Sequence, residues 1–182
     1  MNEIEIHKIQ TPVGEMLIGT IDNSCCLLDF KMRKSSEKLL NNLKSLRKAT
    51  FVERVNALHV QVESELNEYF NRERETFEFD VSFTGTEFQK RVWNELRNIP
   101  YGKTISYLQL AKRIGDQKAV RAVAQANGKN ILAIVIPCHR VIASNGKLQG
   151  YGGGLNVKKK LLRLEDQTKY QSEYVLKQLE DL

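Results

Sequence analysis

Residues 131–141 read ILAIVIPCHRV, an apolar run followed by Pro137, Cys138, His139 and Arg140. A short unbroken apolar run is typical of a buried strand or extended segment. Pro137 blocks regular strand pairing, so Cys138 is expected where that segment ends. His139 and Arg140 are groups that favour a thiolate over a thiol, and a thiolate is a strong nucleophile. The stretch therefore predicts a buried segment that leads into a reactive cysteine.

The same residues allow a plainer interpretation, in which Cys138 is a small core residue and His139 an ordinary polar residue of a turn. Adjacent side chains of an extended segment point to opposite faces. His139 could then deprotonate Cys138 only if the backbone turns there or a water molecule relays the proton. A histidine base also needs an orienting acceptor. Glu165 is the candidate, although a surface carboxylate in a salt bridge is the common alternative.

The chain before this stretch is predicted to be helical. Capping-box spacing, typical of helix starts, occurs at Thr86 with Gln89 and again at Ser106 with Gln109. The predicted helices are 88–96, 107–114, and one capped by Asp116 that runs to about residue 127. The last two, joined across Gly115, form a helix-turn-helix candidate. That signal is weak alone, because short helices joined by glycine are common.

After the cysteine stretch come a glycine-rich turn at 150–154 and a helix with leucines on one side. The consecutive lysines Lys158, Lys159 and Lys160 are predicted to be a solvated face of that helix. Residues 168–182 are predicted to form a polar C-terminal helix.

The first half has a different pattern. Apolar residues alternate or cluster in 4–9, 13–21 and 26–30, which predicts three short antiparallel strands. Helical spacing follows in 35–48 and 58–70, and 76–83 reads as an extended connector. We therefore predict an α+β protein. Its domains are a small N-terminal α/β scaffold domain with a short antiparallel sheet (1–83) and a mostly helical C-terminal domain containing a helix-turn-helix (84–182).

The net charge of the 182 residues is +6, and it is unevenly distributed. Residues 1–80 hold 11 Lys and Arg against 14 Asp and Glu, a net charge of −3, whereas 81–182 hold 17 against 8, a net charge of +9. A basic half-chain points to a polyanionic partner, most simply nucleic acid, with a solvated basic surface as the alternative. No apolar run is long enough to span a membrane, and the N-terminus lacks a signal-peptide pattern. The three cysteines fit a reducing compartment. We expect a cytoplasmic protein.

These motifs together resemble the O6-alkylguanine-DNA alkyltransferases. The resemblance rests on Ile136-Pro137-Cys138-His139-Arg140-Val141, Arg121-Ala122-Val123, Asn130 and Gly150-Tyr151-Gly152-Gly153-Gly154-Leu155. It covers roughly residues 84–165, and in 1–83 it is only a matter of organisation. It implies a monomeric DNA repair protein, acting without a cofactor on double-stranded DNA that contains O6-alkylguanine. The damaged base is flipped out and its alkyl group moves irreversibly to the protein's own cysteine.

The resemblance also assigns roles to residues. Cys138 is implied as the alkyl acceptor and His139 as a base acting through water, with Glu165 completing the relay and Asn130 bracing the loop. Further roles are implied for the substrate side: Tyr107 assists departure of the guanine, Arg121 takes the place of the flipped base, and Tyr151, Gly152, Gly153, Arg140 and Ala122 contact DNA or substrate. Ala122, Ala124 and Ala126 would give that helix a small-residue face for close approach from the minor groove.

The chain departs from the family at Gly152, where many members carry serine. Only backbone N–H groups could then contact O6 of the guanine. Some members hold a structural zinc near the N-terminus, for which His7, His59, Cys25 and Cys26 are the candidates here. Cys25 and Cys26 are adjacent on a predicted strand and would point to opposite faces, so we expect no metal.

Two other functions fit parts of the sequence. A Cys-His hydrolase would form an intermediate at Cys138 and release it with water, so it would turn over. A non-enzymatic module that only recognises alkylated bases would lack the acceptor cysteine, which this chain has.

Overall fold

The computed structural model describes residues 2–31, 33 and 35–166. Its first half is built on a four-stranded sheet of order β3-β2-β1-β4. The strands are β1 (Asn2–Thr11), β2 (Gly14–Ile21), β3 (Ser24–Phe30) and β4 (Ala49–Glu53). The predicted antiparallel strands β1, β2 and β3 are confirmed. The prediction of a purely antiparallel sheet is wrong, because β4 pairs in parallel with β1. A strand that pairs in parallel needs a crossover connection, and the helix between β3 and β4 supplies it.

Two helices pack with this sheet, α1 (Ser36–Arg47) and α2 (Ala57–Phe70). Both match the predicted ranges. Helix α2 begins with a capping box in which Asn56 Oδ1 accepts from the His59 backbone N–H at 3.0 Å. His59 Nδ1 accepts in return from the Asn56 N–H at 3.2 Å. Two N–H groups at the helix start are thereby satisfied. Helix α2 buries Tyr69, which reaches the candidate site described below.

The second half is mostly helical. Its elements are α3 (Glu87–Arg97), β5 (Ile105–Ser106), α4 (Tyr107–Arg113), α5 (Val120–Gly128), a 3-10 turn (Cys138–Arg140), β6 (Val141–Ile142) and α6 (Leu155–Glu165). Both predicted capping boxes are confirmed, at the starts of α3 and α4. The prediction that Asp116 caps α5 is wrong. Its Oδ1 accepts from the Lys118 N–H at 2.9 Å and closes a turn that precedes the helix.

The apolar run 131–136 is buried but does not form a regular strand. The Ala133 N–H donates to the Leu28 carbonyl at 2.7 Å, so the run starts along the edge of β3. Ile134 then adopts a φ of 72°, a left-handed conformation that turns the chain. The connector 76–83 covers the other end of β3, where the Cys25 N–H donates to the Asp80 carbonyl at 2.8 Å. The run 131–136 and the connector 76–83 together cover an edge of β3 that would otherwise be open.

The main hydrophobic core draws on both halves. It joins Ile18, Leu28 and Leu66 to Leu96 and Leu161, among others. The domain boundary at 83/84 stays a prediction. In the part of the chain described, no helix is long and apolar enough to cross a membrane. The predicted helix 168–182 lies outside the described residues.

Candidate active site

Cys138 opens the 3-10 turn and its side chain is buried, with the residue 5% exposed. The turn removes the difficulty of an extended segment, because Cys138 and His139 need not point to opposite faces. Asn130 determines the position of the sulfur. Its Nδ2 lies 3.1 Å from Cys138 Sγ and donates to the Ile136 carbonyl at 2.9 Å. Its Oδ1 accepts from the Leu132 N–H at 2.9 Å. One amide thereby holds both the apolar run and the sulfur of Cys138.

His139 is fully buried and its Nε2 lies 2.7 Å from Glu165 Oε1. Glu165 at the end of α6 is itself buried, so the surface salt bridge considered for it is wrong. Its carboxylate also accepts from Tyr69 Oη at 2.8 Å and from the Gly102 N–H at 3.3 Å. Although burial opposes ionisation, the hydrogen bonds from His139 and Arg140 and the positive charge of Arg140 hold the pKa of Glu165 well below its usual range. The carboxylate is therefore ionised and acts only as an acceptor.

Arg140, which the resemblance implied as a DNA or substrate contact, points into the protein interior. It is 6% exposed and donates from Nε to Glu165 Oε2 at 2.8 Å and from Nη1 to the Ile99 carbonyl at 2.7 Å. A buried guanidinium needs such partners, and Glu165 neutralises its charge. Arg140 therefore holds Glu165 in place instead of reaching the surface.

The hydrogen bond to Glu165 defines the tautomer of His139. Since the ionised carboxylate can only accept, Nε2 carries the proton and Nδ1 keeps its lone pair. Nδ1 is buried and has no hydrogen-bond partner among the described residues. Burial lowers the pKa of His139 despite the opposing effect of Glu165. A neutral imidazole with an available lone pair is suited to accept a proton.

Burial raises the pKa of the Cys138 thiol, against the hydrogen bond from Asn130 and the charges of Arg33 and Lys158. The expectation that His139 and Arg140 favour the thiolate is therefore wrong. His139 is kept neutral, and the charge of Arg140 is matched by Glu165. Cys138 rests as a thiol and needs a base to become a nucleophile.

A groove of about 880 Å³ runs past this site. The helix-turn-helix of α4 and α5 contributes Tyr107, Arg121 and Ala124, and the segment Gln149–Gly154 forms the opposite wall. Arg121 and Ala122 are exposed on α5, as a DNA-facing surface requires. Ala126, predicted on the same face, is buried in the core.

Tyr107 closes one side of the site. Its Oη donates to the carbonyls of Gln149 and Gly150 at 3.3 and 3.4 Å, and burial raises its pKa to about 12. The cavity next to Cys138 holds about 10 Å³, about enough for one water molecule. A purine base can reach the sulfur only if this cavity widens.

The glycine segment is shaped by residues of the first half. A Cβ on Gly152 would lie 2.7 Å from Arg33 Cζ, and one on Gly153 would lie 2.6 Å from the Phe30 ring. Tyr151 packs edge-on against Phe30, with ring centroids 5.9 Å apart. A side chain at position 152 would displace the Arg33 guanidinium, which gives a physical reason for glycine there.

Sequence reasoning missed Lys158, Arg33 and Asn127. Lys158 is fully buried, not solvated, and its Nζ donates to the carbonyls of Val141 and Gln149 at 2.6 and 2.8 Å. Burial lowers its pKa to about 8. The sequence signal that could have indicated its burial is its spacing from Glu165, which places both residues on the same face of α6. Asn127 Nδ2 donates to the Cys138 carbonyl at 3.4 Å, and nothing in the local sequence indicates that contact.

The zinc candidates do not form a cluster. Among the described residues no group of three or more His, Cys, Asp or Glu side chains could hold a metal ion. Cys25 Sγ contacts the Leu27 carbonyl and Cys26 Sγ the Gly19 carbonyl, both at 3.4 Å.

A buried cysteine next to a neutral histidine, beside a helix-turn-helix with an exposed arginine, is the arrangement expected of a DNA-binding protein with a cysteine nucleophile. Residues 87–167 match the family model described as "6-O-methylguanine DNA methyltransferase, DNA binding domain". The methylated-DNA--protein-cysteine methyltransferase of Methanosarcina acetivorans is 51% identical over 160 residues, which are 86% of this chain and 94% of that protein. The chain belongs to the methylated-DNA--protein-cysteine methyltransferase family.

Other relatives agree. The Mycobacterium tuberculosis protein of the same name is 54% identical over 101 residues, 56% of this chain and 61% of that protein. The crystal structure of Mycobacterium tuberculosis OGT in complex with DNA superposes with a TM-score of 0.75 at 37% identity. It covers 90% of this chain and 92% of that one. The α+β fold predicted from the sequence pattern is confirmed.

The buried setting of Cys138 predicts an alkaline thiol titration. The difference in thiolate absorbance between the parental protein and Cys138→Ser should rise with a midpoint above the usual value of about 8.5. Asn130→Ala should move the midpoint further up, because the amide stabilises the thiolate. Burial also raises the pKa of Cys26, to about 12, but Cys26 is present in both proteins and its signal cancels in the difference. A midpoint near neutral pH would contradict this description.

Proposed function

We propose that this protein repairs O6-alkylguanine in double-stranded DNA by direct reversal. Cys138 Sγ attacks the alkyl carbon, a sulfur–carbon bond forms, and the bond from that carbon to O6 breaks, so that guanine is restored. The observation that supports this most strongly is the position of Cys138. Its sulfur is held by Asn130 beside the cavity that adjoins the helix-turn-helix groove.

His139 is the proposed general base. The raised pKa of Cys138 means that a proton must be removed before attack, and Nδ1 of His139 has the free lone pair to accept it through a water molecule. Glu165, 2.7 Å from Nε2, stabilises the imidazolium that results. Tyr107 lines the groove, where its hydroxyl can protonate the departing guanine as the electron pair moves onto the base.

The reaction is proposed to be stoichiometric. A thioether is stable, and none of the proposed site groups is a second nucleophile aimed at the alkyl carbon. Each molecule therefore acts once. The Cys-His hydrolase predicts the opposite, repeated turnover with a free thiol after each cycle. The base-recognition module predicts binding without transfer, and the presence of Cys138 argues against it.

The groove is the proposed DNA site. An alkylated guanine inside a duplex is shielded by stacking, and extrusion costs a few kcal/mol. Arg121, exposed at the groove, is placed to fill the space that the base leaves. The exposed Ala122 lets the backbone of α5 approach closely, and phosphate attraction by the basic half is sequence-independent and falls with salt.

We also propose that residues 1–83 and 84–182 are the two domains of a monomeric, cytoplasmic protein. The free cysteines at 25, 26 and 138 suit a reducing compartment.

Methyl transfer should be visible directly. After incubation with duplex DNA containing O6-methylguanine, the peptide carrying Cys138 should be heavier by one methyl group in place of hydrogen, at no more than one group per chain. Cys138→Ala should bind the lesion without repairing it. Cys26→Ala is the matched control and should transfer normally. An unmodified Cys138 with the lesion intact would contradict the proposal, and lesion loss with a free thiol would favour the hydrolase.

Arg121→Ala should impair flipping specifically. On duplex DNA we expect transfer to slow by about tenfold, which corresponds to about 1.4 kcal/mol of lost support for the extruded state. On a single strand carrying the same lesion the rate should stay near the parental value, because there is no duplex to open.

The matched control is Arg113→Ala, which removes the same charge from α4, where Arg113 lies 3.5 Å from Glu95. It should lower duplex and single-strand rates alike. If Arg121→Ala reacts with duplex at the parental rate, the role in flipping is wrong.

A further inference from the structure

Arg33 is a buried arginine of the first half that reaches the candidate site. It lies in the segment between β3 and α1 and is 7% exposed. Its Nη1 donates to Asp29 Oδ2 at 2.7 Å, and its Nε donates to Ser35 Oγ at 3.1 Å. These two contacts fix the guanidinium from within the first half. A charged group held this firmly in the interior needs further partners, and it finds them across the boundary.

Those partners belong to the DNA-binding half. Arg33 Nη1 donates to the Asn130 carbonyl at 2.6 Å, and Nη2 donates to the Gly128 carbonyl. Gly128 is the last residue of α5, where carbonyl groups lack partners within the helix and a cation is favourable. Arg33 therefore caps the C-terminus of α5, the helix that carries Arg121.

The same contact leads to the acceptor sulfur. Asn130, whose carbonyl accepts from Arg33, places its own Nδ2 3.1 Å from Cys138 Sγ. The positive charge of Arg33 also lowers the pKa of Cys138, against the larger effect of burial. Arg33 thus affects Cys138 through both position and charge.

The guanidinium also forms part of the cavity wall. Arg33 and Gly152 both line the cavity next to Cys138, and a Cβ on Gly152 would lie 2.7 Å from Arg33 Cζ. Because Asp29, Gly128 and Asn130 hold the guanidinium, it could yield to a side chain at 152 only by breaking those bonds. The Arg33 guanidinium thus occupies the space that a side chain at position 152 would need.

We propose that Arg33 is a positioning residue for alkyl transfer, which holds the end of α5, Asn130 and the glycine segment in register around Cys138. The inference rests on the function proposed above and deepens it. It gives the first half a part in the reaction beyond that of scaffold: its arginine fills the wall where the alkyltransferase family often has a serine. Arg33 acts through Asn130 and Gly152, without needing to touch the reacting atoms.

The first experiment compares Arg33→Ala, Arg33→Lys and Arg47→Ala in the full chain. Arg47 is the matched control, since it also reaches from the first half to the second, donating to the Thr84 hydroxyl at 2.6 Å, but does not line the cavity. Arg33→Ala should slow methyl transfer by about tenfold on single-stranded and duplex DNA alike, because Cys138 itself is displaced. It should also raise the midpoint of the Cys138 thiol titration.

In the same assays Arg33→Lys should recover the thiol midpoint more fully than the transfer rate, because lysine keeps the charge but not the fork of donors. Arg47→Ala should leave both quantities near parental values. Thermal unfolding of each variant gives the folded fraction to which rates are normalised.

The second experiment is a cycle with Gly152→Ala. In the parental chain the new methyl group should slow transfer by about fivefold or more, whereas in Arg33→Ala the same change should cost less than about twofold. If Gly152→Ala slowed transfer equally in the parental chain and in Arg33→Ala, the proposed steric coupling of Arg33 and Gly152 would be overturned. A folded Arg33→Ala that transfers at the parental rate would overturn the positioning role.

The two proposals fail differently. If the parental protein transfers no methyl group, the proposed function fails, and the thiol titration alone decides on Arg33: an unchanged midpoint in Arg33→Ala would overturn the inference. If the parental protein transfers but Arg33→Ala does so equally well, only the Arg33 inference fails. If Arg33→Ala does not fold, the inference is tested with Arg33→Lys and Gly152→Ala instead. An Arg33→Lys protein that transfers at the parental rate would then contradict a role for the donor fork of Arg33.

Discussion

The buried carboxylate of Glu165 is the interaction on which the site depends. It accepts hydrogen bonds from Tyr69 in the first half, from the Gly102 backbone, and from His139 and Arg140 next to the cysteine. Removing a carboxylate from water is costly, and only a set of donors such as this one offsets the cost. One ionised group therefore joins α2, the turn before β5, the 3-10 turn that begins at Cys138, and α6. It also determines which nitrogen of His139 can act as a base.

The chemistry follows from what this network leaves unpaired. Arg140 and Glu165 cancel each other's charge, and His139 stays neutral, so Cys138 is protonated and unreactive at rest. A free thiolate held permanently in a cell would be open to oxidation and to stray electrophiles. A buried thiol beside a neutral base avoids this, because the nucleophile forms only when a proton can move. Such an arrangement suits a protein whose cysteine is consumed in a single event.

Much of this could be predicted from local sequence. The capping boxes at Thr86 and Ser106 and the strands β1 to β3 are patterns within a few residues, where spacing alone decides. The cysteine motif is similarly local. What failed depends on partners distant in sequence. Strand β4 has a partner only because α1 brings it to β1, and the run 131–136 turns at Ile134 after covering the edge of β3.

The candidate site shows the same division. Cys138, His139, Glu165 and Asn130 come together as the resemblance implied, whereas Arg140 is drawn inward by a carboxylate 25 residues away. Lys158 looks solvated within its lysine run, yet it shares a helix face with Leu161, Leu162 and Glu165. Arg33 gives no local signal, because its partners lie 95 and 97 residues later in the chain.

The protonation state of His139 tests this account most directly. Nitrogen-15 NMR of the imidazoles, with His139→Gln to assign the signals, reports which ring nitrogen carries a proton. At about neutral pH the account predicts a neutral His139 with Nε2 protonated and Nδ1 bare. An imidazolium, or a neutral ring protonated on Nδ1, would contradict it, because neither form offers the lone pair that the proposed deprotonation of Cys138 requires.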